Sequence, residues 1–231
     1  MLVTLPADAR YLAGDMISVA MALALFLAYP GERRAMVLGA LLLLPMGMIQ
    51  APISEGAYWA PGRILGGSFG IEDILFTSAF AAIGWGLARM AAGPMPPLAP
   101  LDGEFFLRCL GLGLLGGAVF FGLLALGAYY GPAALISQGV VGALVLSLRR
   151  DLVPLALRSS GLFTLYYFCG LSAMVLIAGP GFASMWLPEY SLGPAIWGIP
   201  VEEYLFATAF GATWVPMLLF AARAPAPAPP A

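Results

Sequence analysis

Apolar residues run along this chain in seven long stretches, separated by short breaks that gather Gly, Pro and most of the charged residues. The stretches lie at about 11–29, 35–53, 66–90, 104–128, 132–148, 159–179 and 196–222. Each comes close to the ~20 residues that an α-helix needs to cross a hydrocarbon core of ~30 Å. Strands of a membrane barrel would alternate apolar and polar positions, whereas these runs are continuous. The pattern therefore predicts an all-α integral membrane protein with seven transmembrane helices. The first stretch has no basic segment before it and no clear small-residue cleavage site, and it is too long for the core of a signal peptide, so it is read as helix 1.

A second pattern lies over the first. "GIEDILFTSAF" (70–80) recurs 130 positions later as "PVEEYLFATAF" (200–210), each time near the start of a third helix. Helices 1–3 and 5–7 are similar in length and arrangement, and helix 4 stands alone between them. A displacement of four helices keeps the orientation, so two parallel three-helix repeats joined by helix 4 are expected, related by an axis along the membrane normal. The expected organisation is a first repeat at 1–92, a Pro-rich linker with connecting helix 4 at 93–130, a second repeat at 131–223 and a Pro/Ala tail at 224–231. "GPMPPLAP" (93–100) reads as a stiff linker and "APAPAPPA" (224–231) as disordered, because neither can bury apolar area or hold a helix.

Composition agrees with the pattern: 61% hydrophobic residues, 10% charged residues and a mean hydropathy of +0.94 exceed what a soluble core of this size can hide. All ten basic residues are Arg. Arg33, Arg34, Arg89, Arg149, Arg150, Arg158 and Arg223 adjoin the 1–2, 3–4 and 5–6 connections or the C-terminus, against Arg10 and Arg63 on the other side. The positive-inside rule then puts the N-terminus outside and the C-terminus in the cytoplasm. Read as topology signals, these arginines imply no nucleic-acid partner. Cys109 and Cys169 fall within apolar stretches and form neither a disulfide framework nor a metal cluster. The run "GLGLLGG" (111–117) predicts close helix packing, and Arg108 is expected to snorkel to the cytoplasmic surface.

The carboxylates of the repeated motif stand out in so apolar a chain. Glu72 lies 17 residues before Arg89 and Glu202 lies 21 before Arg223, or roughly 25–32 Å along a helix at 1.5 Å per residue. Both belong to the outer part of the membrane, and Asp15 and Gln138 occupy matching places on the same side. All four are expected to line one chamber. Acidic residues in a first turn suit the helix dipole, but capping does not explain recurrence in both halves, each time with Phe four residues on. Glu72 shares a helix face with Phe76, and Glu202 with Phe206. Asp73 and Glu203 point about 100° away and are expected to bond the first carboxyl or another helix. Intramembrane carboxyls usually mark a site, and two that share one cannot both ionise easily, so one can donate a proton while the other accepts it. Phe76, Phe206, Tyr204, Trp197 and Trp214 are candidates to bind substrate and hold a cation, at ~2 kcal/mol or more per desolvated ring.

"GIPVEEYLFATAFGATW" (198–214) resembles the Pro-x-Glu-Glu signature of the membrane-embedded lycopene cyclase domain family, with Pro200, Glu202, Glu203 and Phe206 where that family has them. The likeness extends more weakly to "SFGIEDILF" (68–76), where Gly70 takes the place of the proline and Asp73 that of the second glutamate. The resemblance implies a fused two-module lycopene cyclase, an isomerase (intramolecular lyase) of carotenoid biosynthesis in a prokaryotic plasma membrane. It implies Glu72, Asp73, Glu202 and Glu203 as catalytic residues and a lipid-soluble polyene such as lycopene as substrate. Such a reaction protonates C1=C2 of the ψ-end group, closes the ring by attack of C5=C6 and loses a proton, with no net redox change. No cofactor and no metal are expected.

Absences narrow the alternatives. The chain has no Lys for a retinal Schiff base and no His for a zinc or haem site. It has neither the Asp-rich motif of pyrophosphate-binding prenyltransferases nor a GxGxxG after a strand. A small-solute transporter of three, one and three helices is the rival from another class. Its pathway would be lined with amides and hydroxyls, whereas this chain has no Asn and only two Gln. Another acid-initiated terpenoid cyclase or hydratase, and a structural partner subunit, are the remaining alternatives.

Overall fold

The computed structural model describes residues 6–99 and 101–227. Seven helices are long and apolar enough to cross a membrane: α1 (Ala7–Ala28), α2 (Arg33–Ser54), α3 (Ile71–Ala92), α4 (Gly103–Ala125), α5 (Tyr130–Leu148), α6 (Val153–Ala178) and α7 (Val201–Ala221). The fold is all-α, as the apolar pattern predicts. Its one sheet among the described residues is a hairpin of two-residue strands, β1 (Ala195–Ile196) and β2 (Ile199–Pro200), paired antiparallel.

Three helix starts differ from the hydropathy reading by five residues or more. Helix 3 begins at 71 instead of 66 because Gly66 and Gly67 turn the backbone left-handed (φ 70° and 82°). Asp73 then closes the helix start by accepting the Gly70 N–H at 2.7 Å. Helix 7 begins at 201 instead of 196, since Trp197 and Gly198 (φ 57° and 79°) form the tip of the hairpin and Pro200 ends it. Helix 6 starts earlier, at Val153, where Pro154 suits a first turn and Arg158 faces outward.

Helices α3 and α7 form the centre. α3 packs on α1 and α2 and also meets α6, α7 packs on α5 and α6, and α4 lies outside against α5 and α7. Phe80 of α3 is the hub of the core. Its ring lies 4.6 Å from those of Phe163 and Phe210, 4.9 Å from Phe76, 5.5 Å from Tyr167 and 6.2 Å from Phe206, measured between centroids. At Gly211 α6 and α7 come so close that an added Cβ would lie 2.8 Å from Ser160 Cα and 2.8 Å from Phe163 Cβ. Gly211→Ala is therefore expected to cost about 1–3 kcal/mol through overpacking, against up to ~1 kcal/mol gained in helix propensity. Thermal unfolding in detergent reads the difference, and an unchanged or higher midpoint would show that α6 yields freely.

Two expectations for α4 need correction. The glycines of "GLGLLGG" do not mediate close packing: a Cβ on Gly111, Gly113 or Gly117 would meet nothing within 4 Å, and only Gly116 nears a neighbour, Val141. Arg108 turns back onto the protein, its Nε donating to the Ala221 carbonyl at 2.7 Å. Nearby, Glu32 accepts from Trp85 Nε1 at 2.9 Å and from the Met95 backbone at 3.2 Å, which fastens the Pro-rich linker to α3. Ala224 is buried, and its carbonyl accepts from Arg149 Nη2 at 3.0 Å. Residues 228–231 of the expected tail lie outside the described residues.

Candidate active site

A cavity opens at the end of the bundle where α3 and α7 begin, with about 1240 Å³ of empty space that includes its mouth. α1 contributes Tyr11 and Asp15 to its wall, α3 Asp73 and Phe76, α6 Tyr166 and Tyr167, and α7 Glu202, Glu203 and Phe206. Tyr58 and Trp59, after α2, and Trp186, after α6, also line it. The two loops are stitched together: Leu187 N–H donates to the Tyr58 carbonyl at 2.9 Å and Ala60 N–H to that of Met185 at 2.7 Å.

The two acidic motifs share a local design. Glu72 Oε1 accepts the backbone N–H of Ile64 at 2.8 Å, and Glu202 Oε1 accepts that of Leu192. In each half the first glutamate thus ties the preceding loop to its helix. The other oxygen of each, Oε2, is buried with no hydrogen-bond partner among the described residues. Here the likeness ends, for Glu202 lines the cavity and Glu72 does not. The expectation that both border one chamber is corrected at Glu72. Its carboxyl folds over the helix start, where Glu72 Oε2 occupies the space that a Cβ on residue 70 would need. Gly70, in the place of the motif's proline, leaves that space open.

Asp73 and Glu203 each bond another helix, as expected, Asp73 through Tyr11 of α1 and Glu203 through Tyr167 of α6, and both also reach the cavity wall. Their electrostatics are opposite. Asp73 is held by Arg63 in a two-pronged ion pair, Nε–Oδ2 2.8 Å and Nη2–Oδ1 3.1 Å, and accepts from the Tyr11 hydroxyl at 3.1 Å. Arg63 also donates to Glu55 at 2.6 Å and to the Gly67 carbonyl at 3.2 Å. Burial alone would favour neutral Arg63, but its bonds to Asp73 and Glu55 outweigh burial and hold the guanidinium charged. Arg63 is a buried structural cation, and its placement in a loop is no free surface charge. Glu203 has no such partner. Its Oε2 accepts from the Tyr167 hydroxyl at 2.6 Å, and among the described residues neither Glu202 nor Glu203 pairs with a basic side chain.

Asp15 lines the cavity at 1% exposure, and its Oδ2 has no partner among the described residues. Tyr11, one turn earlier on the same face, has its hydroxyl committed to Asp73. Among the described residues Gln138 also has an oxygen without a partner, but it does not line the cavity. Phe76 and Phe206 line it, as expected, with Phe80 behind them. The other three aromatic candidates lie elsewhere. Trp214 fills the α3–α7 contact, stacked on Phe210 with its indole N–H on the Ala81 carbonyl at 3.1 Å. Tyr204 packs against Phe168, and Trp197 is 63% exposed at the hairpin tip. Both were placed by their nearness in sequence to Glu202, and helix rotation and the hairpin turn carry them away.

Tyr11, Tyr58, Arg63, Tyr167 and Trp186 are site residues that the sequence reading passes over. Phe80 was within reach, since both copies of the motif end in Phe eight residues after the first glutamate, at Phe80 and Phe210. The other five reach the site only through tertiary packing. Burial, reinforced by Glu203, pushes the Tyr58 hydroxyl well above its usual range, so it stays a donor. Among the described residues no His, Cys, Asp and Glu side chains gather into a group that could hold a metal ion.

Residues 117–221 match the family model described as lycopene cyclase. The match takes in α5, α6 and α7 with Glu202 and Glu203, and agrees with the family recognised from the Pro200 motif. No curated protein and no solved structure gives a significant match to the chain.

Proposed function

We propose that this chain, whose second half carries a lycopene cyclase family domain, cyclises the ψ-end group of a linear, lycopene-type polyene by acid initiation within the membrane. The observation that carries the reading is Glu202, a buried cavity-wall carboxyl with one oxygen free of any partner among the described residues. An ionised carboxylate left in that state is costly, whereas a carboxylic acid there can deliver its proton. Glu202 protonates C1=C2, C5=C6 attacks the resulting cation, and Glu203 takes the proton that leaves as the ring alkene forms. Return of that proton from Glu203 to Glu202 resets the site without an external oxidant or reductant.

Phe76, Phe206 and Tyr167 offer their rings to the cation between these steps. The first half completes the chamber with Asp15, Asp73 and Phe76. The corresponding packing of α3 on α1 and α2 and of α7 on α5 and α6 supports two parallel repeats. In this reading the cavity lies in the outer part of the bilayer, the N-terminus is outside, and the polyene arrives sideways from lipid. The rings packed around Phe80 stand behind the cavity, which favours a cyclase over a transporter, since transport needs a path onward through the bundle.

Expression in a lycopene-accumulating host is expected to convert the pigment to cyclic products. Protein purified into lipid is expected to do the same with no added flavin, nicotinamide or divalent ion, at a rate unaffected by chelator. Unchanged pigment beside well-folded protein would count against a lycopene-type substrate. An absolute requirement for Mg²⁺ would recast the carboxyls as metal ligands.

A further inference from the structure

Only the reacting end of a long polyene has to reach Glu202, so the rest of the chain must leave the cavity between two helices. The cavity wall extends to two seams, between α1 and α6 at Ser18 and Met174, and between α2 and α5 at Gly47, Gln50, Ala51 and Ala134. The first is shut. α1 packs on α6, the Tyr166 hydroxyl donates to Ser18 Oγ at 2.8 Å, and Arg10 Nη1 donates to the Gly181 carbonyl, just past α6, at 3.0 Å. Between these bonds Gly14 rests on Met174 and Phe182, each with an atom 3.8 Å from where its Cβ would lie.

The second seam is closed only at its ends. Where α5 begins, the rings of Tyr58 and Tyr130 stack at 5.7 Å, and Ile53 packs against the cluster of Phe120, Ala133 and Ala134. At the other end α7 bridges the two helices: Trp214 lies 3.4 Å from where a Cβ on Gly39 of α2 would be, and Thr213 fills the space beside Gly142 of α5. From Gly39 to Ile53 is 14 residues along α2, and from Ala133 to Gly142 is nine along α5, or roughly 14–21 Å of helix at 1.5 Å per residue. Over that length α2 and α5 make little contact with each other, each packing instead on its own central helix, α2 on α3 and α5 on α7. The cavity-lining side chains there are small, Gly47, Ala51 and Ala134, apart from Gln50.

We propose that the linear chain of the polyene lies in this window between α2 and α5, which is the lateral door of the cavity and the binding site for the part of the substrate that does not react. The proposal rests on the polyene reading of the substrate and is independent of which carboxyl donates the proton. A conjugated chain is apolar, stiff and flat, so it needs a slot and no hydrogen bonds. Small side chains on both helices let it lie close to the backbone, where dispersion contacts hold it. The window fixes the level at which the chain crosses the edge of the bundle, between the Tyr58–Tyr130 pair and Trp214.

Photolabelling reads that position directly. A linear polyene with one intact ψ-end and a diazirine at the other is irradiated with the purified protein in lipid, with and without excess unlabelled polyene, and the adducts are mapped by mass spectrometry. Competed adducts are expected on α2 and α5, within 40–52 and 134–145. Competed adducts on α1 and α6 instead, or adducts spread over the lipid-facing helices and insensitive to competition, would overturn the door. Gln50→Trp and, independently, Ala134→Leu are expected to raise KM about tenfold with kcat little changed, the scale and pattern of a binding site obstructed away from the reacting atoms. Circular dichroism identifies a variant that fails to fold, and the other then serves. An unchanged KM in the folded variants would also overturn the door. Competed labelling of α2 and α5 in a protein that cyclises no polyene would leave the door standing and remove the cyclase reading.

Discussion

Glu202→Gln is expected to give a folded protein that forms rings about 10²–10⁴-fold more slowly, the range a positioned general acid contributes. The amide keeps the volume of the carboxyl and can still accept the Leu192 N–H, so the loop before α7 stays tied down. It cannot protonate an alkene. Glu72→Gln serves as the control, because Glu72 has the same local role, accepting the Ile64 N–H, but does not line the cavity. That variant is expected to stay within a few-fold of the wild-type rate. Pigment analysis in a lycopene-accumulating host separates the two outcomes. Turnover near wild type in Glu202→Gln would remove Glu202 as the acid, and equal losses in both variants would return Glu72 to the site by a route the cavity wall does not suggest.

The seven helices were legible because membrane crossing demands long apolar runs, which hydropathy measures directly. The starts of helices 3 and 7 were not, because an apolar residue in a turn looks the same as one in a helix. Ile196 and Trp197 extend the apolar run of helix 7, but the left-handed backbone at Trp197 and Gly198 puts them in a hairpin. The motif likewise pointed to the right end of α3 and α7 and to Phe76 and Phe206. It misjudged Glu72, whose rotation depends on which neighbouring group offers a hydrogen bond. Ile64 N–H claims Glu72, and Arg63 claims Asp73. Tyr167 and Trp186 join the site only because α6 and the loop after it pack over the start of α7. A periodicity argument sees one helix at a time, whereas Tyr58, Tyr167 and Trp186, which line the cavity with Glu203, come from three separate parts of the chain.

Arg63→Met is expected to destabilise the protein by about 3–5 kcal/mol, the cost of removing one partner from a buried ion pair. Arg63 is fully buried at its side chain and divides its donors among Asp73, Glu55 and the Gly67 carbonyl, so it joins the loop after α2 to the first turn of α3. Without it, Asp73 keeps the Tyr11 hydroxyl and the Gly70 N–H but has no opposite charge, while Glu55, at 31% side-chain exposure, can turn to solvent. The penalty therefore falls on Asp73, and removing its charge should recover part of the loss. Arg63→Met/Asp73→Asn is expected to be more stable than Arg63→Met alone, because Asn keeps an acceptor for Tyr11 or Gly70. Denaturant or thermal unfolding in detergent, run on both variants and on Asp73→Asn, closes the cycle. A loss below about 1 kcal/mol in Arg63→Met, the scale of an exposed pair, or a double variant less stable than Arg63→Met, would show that Arg63 does not hold the first acidic motif in place by charge.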